Sequence, residues 1–232
     1  MIEGKTILAI IPARGGSKGV PRKNIKDAAG KPLIAWTIKE AKKSKFIDRL
    51  VVSTEDDEIV AVAKSWGCEV PFVRPPELAQ DDTPGVEPVL HAIKMLPGYD
   101  YVVLLQPTSP LRNTEDIDGC IEECVEHGAN SCVSVAEVEQ SPYWMYTLDV
   151  NSRLCSLINT DQIFTRRQDL PKVFTLNGAV YVAKCDWLRK NRTFLTAETA
   201  VYLMPRERSL DIDSELDFVL LAALRGENDF EK

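Results

Sequence analysis

ILAIIPARGGSKGVPRKN, running from Ile7 to Asn24, joins an apolar run to a glycine-bearing loop crowded with cations. Ile7, Leu8, Ala9, Ile10 and Ile11 leave no polar side for water, the pattern of a strand covered on both faces inside a parallel sheet. Behind it come Arg14, Lys18, Arg22, Lys23 and Lys26 with no acidic residue between them, in a chain whose formal net charge is −7. Gly15 and Gly16 permit a tight turn and close backbone approach, so main-chain N–H groups and cations can surround phosphate oxygens together. Without a ligand the same residues describe a solvated basic loop. Strand, glycines and cations in this order are what a doubly wound sheet needs at its ligand edge. The spacing is neither G-x-x-x-x-G-K-[ST] nor G-x-G-x-x-G, because Gly15 and Gly16 are followed by Gly19, Val20 and Pro21.

Outward from this stretch the chain alternates. Lys31 to Lys43 reads as an amphipathic helix with Pro32 near its start, Leu50 to Ser53 as a strand, and Glu55 to Trp66 as a helix ending at Gly67. Val70 to Val73 reads as a third strand, Pro84 to Leu96 as a helix, and Tyr101 to Leu105 as another buried strand. Thr114 is placed to cap a helix through about His127, and Ser131 to Val138 alternates as a strand. Such alternation implies an α/β fold: a doubly wound, mostly parallel, Rossmann-like sheet with helices on both faces and ligands at the strands' carboxyl ends. From Ser141 to Pro171 the rhythm breaks, with Pro142, Tyr143, Trp144, Met145 and Tyr146 concentrated together. That segment, about residues 140–172, reads as an excursion from the sheet that either marks an interface or packs on its own domain. Val173 to Ala183 resumes a strand, with Asn177-Gly178 marking a bulge or a simple turn.

Composition narrows the classes. The 232 residues suffice for one large domain with an ample core, and 44% hydrophobic with 27% charged content is ordinary for a soluble protein. The first residues lack a secretory layout and no run reaches membrane-span length, so a cytoplasmic protein without membrane contact is expected. The six cysteines are scattered and His91 and His127 complete no metal set, which points to reduced structural thiols. An acidic chain whose basic cluster fills one loop is a poor nucleic-acid binder.

Asp211 and Asp213 stand two apart in an extended segment, so they share a face and concentrate charge. Hard oxygen ligands at that spacing suit Mg²⁺ (or Mn²⁺) shared with triphosphate oxygens; the other meaning of the pair is a helix N-cap at Asp213, before a helix from Glu215 to Leu224. Arg14 and Lys18 suit the phosphates, with backbone support from Gly15, Gly16 and Ser17, while Ala13, Lys23 and Asn24 would hold the nucleotide. Arg112 is read equally as a ligand contact or a structural salt bridge.

IPARGGSKGVPRKN resembles the signature loop of the CMP-sialic acid synthetases, nucleotide-diphospho-sugar transferases that activate N-acylneuraminate and related nonulosonic acids such as legionaminate and pseudaminate. Further blocks follow in the family's order: Gln106 to Arg112 (QPTSPLR) after YVVLL, RRQDLPKVFTLNGAVY from Arg166 to Tyr181, and the D-x-D at Asp211 and Asp213. The resemblance implies that Gln106, Arg167 and Tyr181 bind the acidic sugar with Asn177 close by, that Arg74 contacts nucleotide, and that Asp211 and Asp213 hold the metal. A planar cation such as Arg167 suits a carboxylate through two parallel hydrogen bonds. It also implies a homodimer in which the 140–172 region is a dimerisation extension of a single domain spanning 1–232. One departure is Thr83-Pro84-Gly85-Val86, where several sialate enzymes carry serines, and it leaves the base contact and the sugar open. The implied reaction joins CTP to an acidic nine-carbon sugar with loss of pyrophosphate. The alternatives are another sugar-nucleotide pyrophosphorylase, such as one for an eight-carbon ulosonate, and a nucleotide-binding module without turnover.

Overall fold

The computed structural model describes residues 2–160, 162 and 164–227. Its strands are β1 (Ile7–Pro12), β2 (Arg49–Ser53), β3 (Tyr101–Leu105), β4 (Ser131–Glu137), β5 (Tyr146–Leu148), β6 (Leu154–Ser156), β7 (Phe174–Lys184) and β8 (Ala200–Leu203). Its helices are α1 (Leu33–Ala41), α2 (Asp57–Ser65), α3 (Glu87–Met95), α4 (Thr114–Glu126), α5 (Cys185–Asn191) and α6 (Glu215–Glu227). All strands except β5 and β6 form one sheet of order β2-β1-β3-β7-β4-β8.

The apolar run of β1 takes the centre as its composition requires. Ile7, Ala9 and Ile11 enter the core beneath α1, α2 and α4, while Leu8 and Ile10 enter the core beneath α3 and α5. β3 divides in the same way, Tyr101, Val103 and Leu105 to one face and Val102 and Leu104 to the other. β1 is parallel to β2 and β3, and β8 is parallel to β4. β7 is antiparallel to both β3 and β4. The direction follows from the route: the chain leaves β4 at the ligand rim, makes the β5–β6 hairpin there, and re-enters from the same end without a helical crossover.

β7 is continuous through Asn177 and Gly178, and its pairing with β4 shifts register between Val133 and Val135. Gly178 has φ +73°, a conformation that costs a side-chain-bearing residue strain. Ser134 staples the bulge: its hydroxyl donates to Asn177 Oδ1 at 2.7 Å and accepts from the Val180 N–H at 2.9 Å.

Several expectations need correction. Val70–Val73 forms no regular strand; Glu69 and Val73 make isolated bridges to Val51 and Thr54 beside β2. Helix α3 begins at Glu87, because Pro84 lies in the preceding turn. The cap of α4 is Asn113, whose side chain accepts from the Asp116 N–H in a reciprocal capping box, while the Thr114 hydroxyl reaches Glu40 on α1. Edge strand β8 and helix α5 are further elements that no expectation from sequence covers. Cys68, Cys120, Cys124, Cys132 and Cys185 are free and buried, and burial pushes the Cys68, Cys124 and Cys185 thiols up to about 12.

Candidate active site

The glycine loop leaves β1 at the rim and is fixed from behind. The Gly15 N–H donates to Glu55 Oε1 at 2.7 Å, and the other oxygen of Glu55 accepts from Arg74 Nη2 at 2.6 Å. Buried Asn24 donates from Nδ2 to the Arg14 carbonyl at 3.0 Å. Arg22, at φ +55°, grips Asp56 with two hydrogen bonds of 2.5 and 2.9 Å. Asp56 in turn caps α2 by accepting from the Glu58 and Ile59 N–H groups. A Cβ on Gly15 would collide with the Asp56 side chain, so it is contact with the helix cap that favours glycine there.

The front of the loop carries its charge outward. Arg14 Nη2 and Lys18 Nζ meet opposite oxygens of Asp81 at 2.7 and 3.0 Å, and these cations, Lys18 first, hold the Asp81 carboxyl below the usual range. Lys23 turns the other way, donating to the Ile212 carbonyl at 2.8 Å and to Asp213 Oδ1 at 3.1 Å. A Cβ on Gly19 would lie 2.5 Å from the Asp213 carbonyl oxygen. Loop and D-x-D segment therefore touch through main chain and side chain alike.

The D-x-D segment is pinned between that loop and the end of β3, since the Ile212 N–H donates to the Thr108 carbonyl at 2.8 Å. Surrounding protein raises the Asp211 pKa, with a Thr108 hydrogen bond opposing the shift and the charge of Asp213 adding to it. Asp217 does the capping at the start of α6, accepting from the Asp213 and Ser214 N–H groups at 2.9 and 2.7 Å. The Asp213 carboxylate instead faces Lys23. No group of three or more His, Cys, Asp or Glu able to hold a metal exists among the described residues. Two carboxylates beside a cationic glycine loop suit a hard cation whose other ligands come from outside the chain.

Asp211 also borders a cavity of about 960 Å³ lined by Asn177, Gly178, Tyr181, Ser209 and Leu220. Asn177 is oriented on both sides, accepting from Ser134 and donating to Ser209 Oγ at 3.0 Å. Burial and the nearby Asp211 charge raise the Tyr181 pKa, keeping its hydroxyl protonated as a donor at neutral pH.

Residues 8–218 match the family model described as Cytidylyltransferase. The chain belongs to that cytidylyltransferase family. It is 36% identical over 225 residues to the CMP-N,N'-diacetyllegionaminic acid synthase of Legionella pneumophila, covering 94% of this chain and 95% of the relative. The pseudaminic acid cytidylyltransferase of Campylobacter jejuni is 35% identical, with 90% of this chain and 92% of the relative covered. The N-acylneuraminate cytidylyltransferase of Streptococcus agalactiae is 34% identical over 91% of this chain, which spans 51% of that longer protein. A solved CMP:2-keto-3-deoxy-manno-octonic acid synthetase complexed with CTP superposes with a TM-score of 0.73 at 14% identity, covering 96% of this chain and 99% of that one. At that identity the match speaks for the fold.

Within this cytidylyltransferase, Arg14, Gly15, Gly16, Ser17, Lys18 and Lys23 share one loop, and Asn177, Tyr181 and Asp211 share one cavity. Asn24 and Arg74 lie behind the loop, their side chains engaged with Arg14 and Glu55. Arg167 donates to the Glu139 carbonyl at 2.8 Å and lines an adjoining cavity of about 410 Å³, apart from the Asn177–Tyr181 cavity in the single chain. Arg112 is neither of the alternatives read from sequence. It is 1% exposed, and its partners among the described residues are carbonyl and hydroxyl oxygens. Asp81, Glu55, Asp56 and Thr108 were not read as site residues; the only available signal was their place at strand ends or in the loop after Arg74.

No helix among the described residues is long and apolar enough to cross a membrane.

Proposed function

We propose that this cytidylyltransferase activates a nine-carbon nonulosonic acid: its anomeric hydroxyl attacks the α-phosphorus of CTP, pyrophosphate leaves, and a CMP-sugar forms. The observation that carries this reading is the position of Asp211-Ile212-Asp213. One carboxylate borders the cavity containing Asn177 and Tyr181, and the other touches Lys23 of the glycine loop. An acceptor in the cavity and a nucleotide on the loop would therefore meet at this segment. The nonulosonate activities named for full-length relatives support the same choice of acid.

In this reading Arg14 and Lys18 exchange Asp81 for triphosphate oxygens, and the Gly15–Ser17 turn lets the nucleotide approach the backbone. Negative charge grows on the phosphoryl oxygens and the leaving pyrophosphate, so fixed cations and positioning supply most of the acceleration. Lys23 holds the D-x-D segment against the loop. Asn177 and Tyr181 orient the acid, with Gln106 at the end of β3 and Arg167 as further contacts. Asp211 and Asp213 would hold a divalent cation, Mg²⁺ or Mn²⁺, which when bound neutralises the leaving group and orients the α-phosphate.

Quaternary structure belongs to the same reading. The β5–β6 hairpin exposes Tyr146, Leu148, Leu154 and Leu157, and Val150 at its turn is fully exposed. Isolated two-stranded hairpins are marginal in water. We assign the excursion at about 140–172 to a homodimer contact within a single-domain protomer.

The test is pyrophosphate release with Mg²⁺, crossing CTP, UTP, ATP and GTP against N-acetylneuraminate, N,N'-diacetyllegionaminate, pseudaminate and an eight-carbon ulosonate. Release with CTP and a nine-carbon acid is expected. Release confined to the eight-carbon acid, or none with CTP bound, overturns the reading.

A further inference from the structure

Arg112 is a buried cation whose hydrogen-bond partners among the described residues are all neutral, the carboxylates of Asp116 and Glu40 acting on it only through space. It is the largest side chain in the fully buried set, held beneath the Gln106–Arg112 loop. Nη1 donates to the Gln106 carbonyl at 3.0 Å and to the Ala179 carbonyl at 2.7 Å, and Nη2 donates to Thr37 Oγ1 at 2.6 Å. The Thr37 hydroxyl closes the ring by donating back to the Gln106 carbonyl at 3.3 Å. Nε is buried without a partner. Desolvation pulls the guanidinium down to about 10, which leaves it charged at neutral pH. A buried cation held by neutral oxygens is a costly way to join two strands, because apolar residues of similar volume often serve stability as well or better.

Its bonds fall at two particular places. Gln106 is the first residue beyond β3, where the rim begins, and Thr108 two residues later holds the D-x-D segment. Ala179 lies on β7 between Asn177-Gly178 and Tyr181, so its carbonyl belongs to the backbone that aims the cavity's polar side chains. The β3–β7 ladder sets the strand spacing as far as Leu105 opposite Val180, and the planar fork carries that spacing one position further, across Gln106 and Ala179, where the ladder ends. A lysine, with one nitrogen, cannot span the two carbonyls and Thr37 in that geometry.

We propose that Arg112 is a positioning residue for the acid substrate: by clamping the Gln106 and Ala179 carbonyls it fixes the spacing of the acid site and leaves the nucleotide loop untouched. This inference rests on the nonulosonate reading above. It assigns the support of the acid site chiefly to Arg112 and that of the CTP loop chiefly to Glu55, Arg74 and Asp56, the two meeting where the Thr108 carbonyl holds the D-x-D segment.

The experiment compares the full-length protein with Arg112→Lys and with Thr37→Val, which removes the acceptor of Nη2 while leaving the arginine in place. Steady-state kinetics use CTP and whichever of N-acetylneuraminate, N,N'-diacetyllegionaminate or pseudaminate the unsubstituted protein accepts. Arg112→Lys is expected to raise KM for the acid at least tenfold, and Thr37→Val about threefold, with KM for CTP within twofold of the parent. Backbone hydrogen exchange, which needs no turnover, should rise at Gln106, Thr108 and residues 178–180 and stay unchanged at 14–18. Equal changes in both KM values, no change in either, or exchange that rises uniformly overturns the proposal. If Arg112→Lys does not fold, Thr37→Val alone decides by the same criteria. Should the parent accept none of the acids, the functional reading fails on that result and the exchange pattern still judges the clamp.

Discussion

The carboxylate of Asp81 lies 3.0 Å from Nζ of Lys18 while its other oxygen meets Arg14 at 2.7 Å, so an internal anion already joins the two cations assigned to the triphosphate. Asp81 sits in an irregular segment after the Pro76–Leu78 turn, which Gln80 and Thr83 tie back through bonds to the Pro76 and Glu77 carbonyls. Such a carboxylate orients Arg14 and Lys18 before the nucleotide arrives and competes with phosphate for them afterwards.

Asp81→Asn should therefore tighten CTP and pyrophosphate alike. The pair is exposed and screened by solvent, so a modest effect of roughly two- to fivefold is expected. Calorimetric dissociation constants for both ligands check this. Weaker binding would instead mean that Asp81 is needed to shape the loop.

Lys18→Ala should cut turnover by roughly 10²- to 10³-fold, the cost typical of removing one fixed group that stabilises developing negative charge. Lys18 is 77% exposed in its side chain and its partner among the described residues is Asp81, so the thermal midpoint should not move. Unchanged kcat would remove Lys18 from the chemistry.

Asp211→Ala should demand far more Mg²⁺ or abolish activity, measured as pyrophosphate release across a metal titration. Its carboxylate makes no helix cap, a role that Asp217 fills. A metal dependence matching the parent would leave Asp211 as a wall of the acid cavity only.

The features that sequence made legible are those carried by local pattern. Uninterrupted apolar residues placed β1 and β3 in the sheet centre, and of the bulge and the simple turn that Asn177-Gly178 left open, the structure takes the bulge, with Gly178 at φ +73° inside β7. What escaped depends on long-range pairing. β8 is a four-residue edge strand, AVYL, with alternating half-exposure, too short to separate from a loop. The choice between Asn113 and Thr114 as the α4 cap turns on one residue, and both are good capping types. Arg112 could not be read as carbonyl-bound, because its partners lie 67 and 75 residues away or within its own loop. Asp81 looked like one acid among several until folding brought it to Arg14.

Acid should weaken the support of the glycine loop through Asp56. The Arg22 guanidinium, with help from the Ile59 and Glu58 N–H groups, holds the Asp56 carboxyl below the ordinary carboxylate range. A depressed folded pKa contributes stability that is full above the unfolded value near ~3.9 and is lost as pH falls through the folded value. Asp56→Asn keeps a good helix cap but removes the charge. Urea midpoints should show the parent more stable at pH 6, with the gap narrowing steadily toward pH 3. A gap independent of pH would show that Asp56 acts only as a cap.

The hairpin supplies the last prediction. β5 and β6 are exposed along their length, pair only with each other, and present Leu148 and Leu154, 66% and 69% exposed, as a paired couple. Two large apolar side chains opposite each other on a strand pair form a self-complementary patch, and a two-fold interface brings the same patch from each subunit together. Leu154→Glu would place charges where two copies meet, while costing the protomer little because the site is exposed. Sedimentation equilibrium should give a dimer for the parent and a monomer for Leu154→Glu, with unchanged circular dichroism. A parent that stays monomeric at tens of micromolar, or a substituted protein that stays dimeric, would move the interface away from this hairpin.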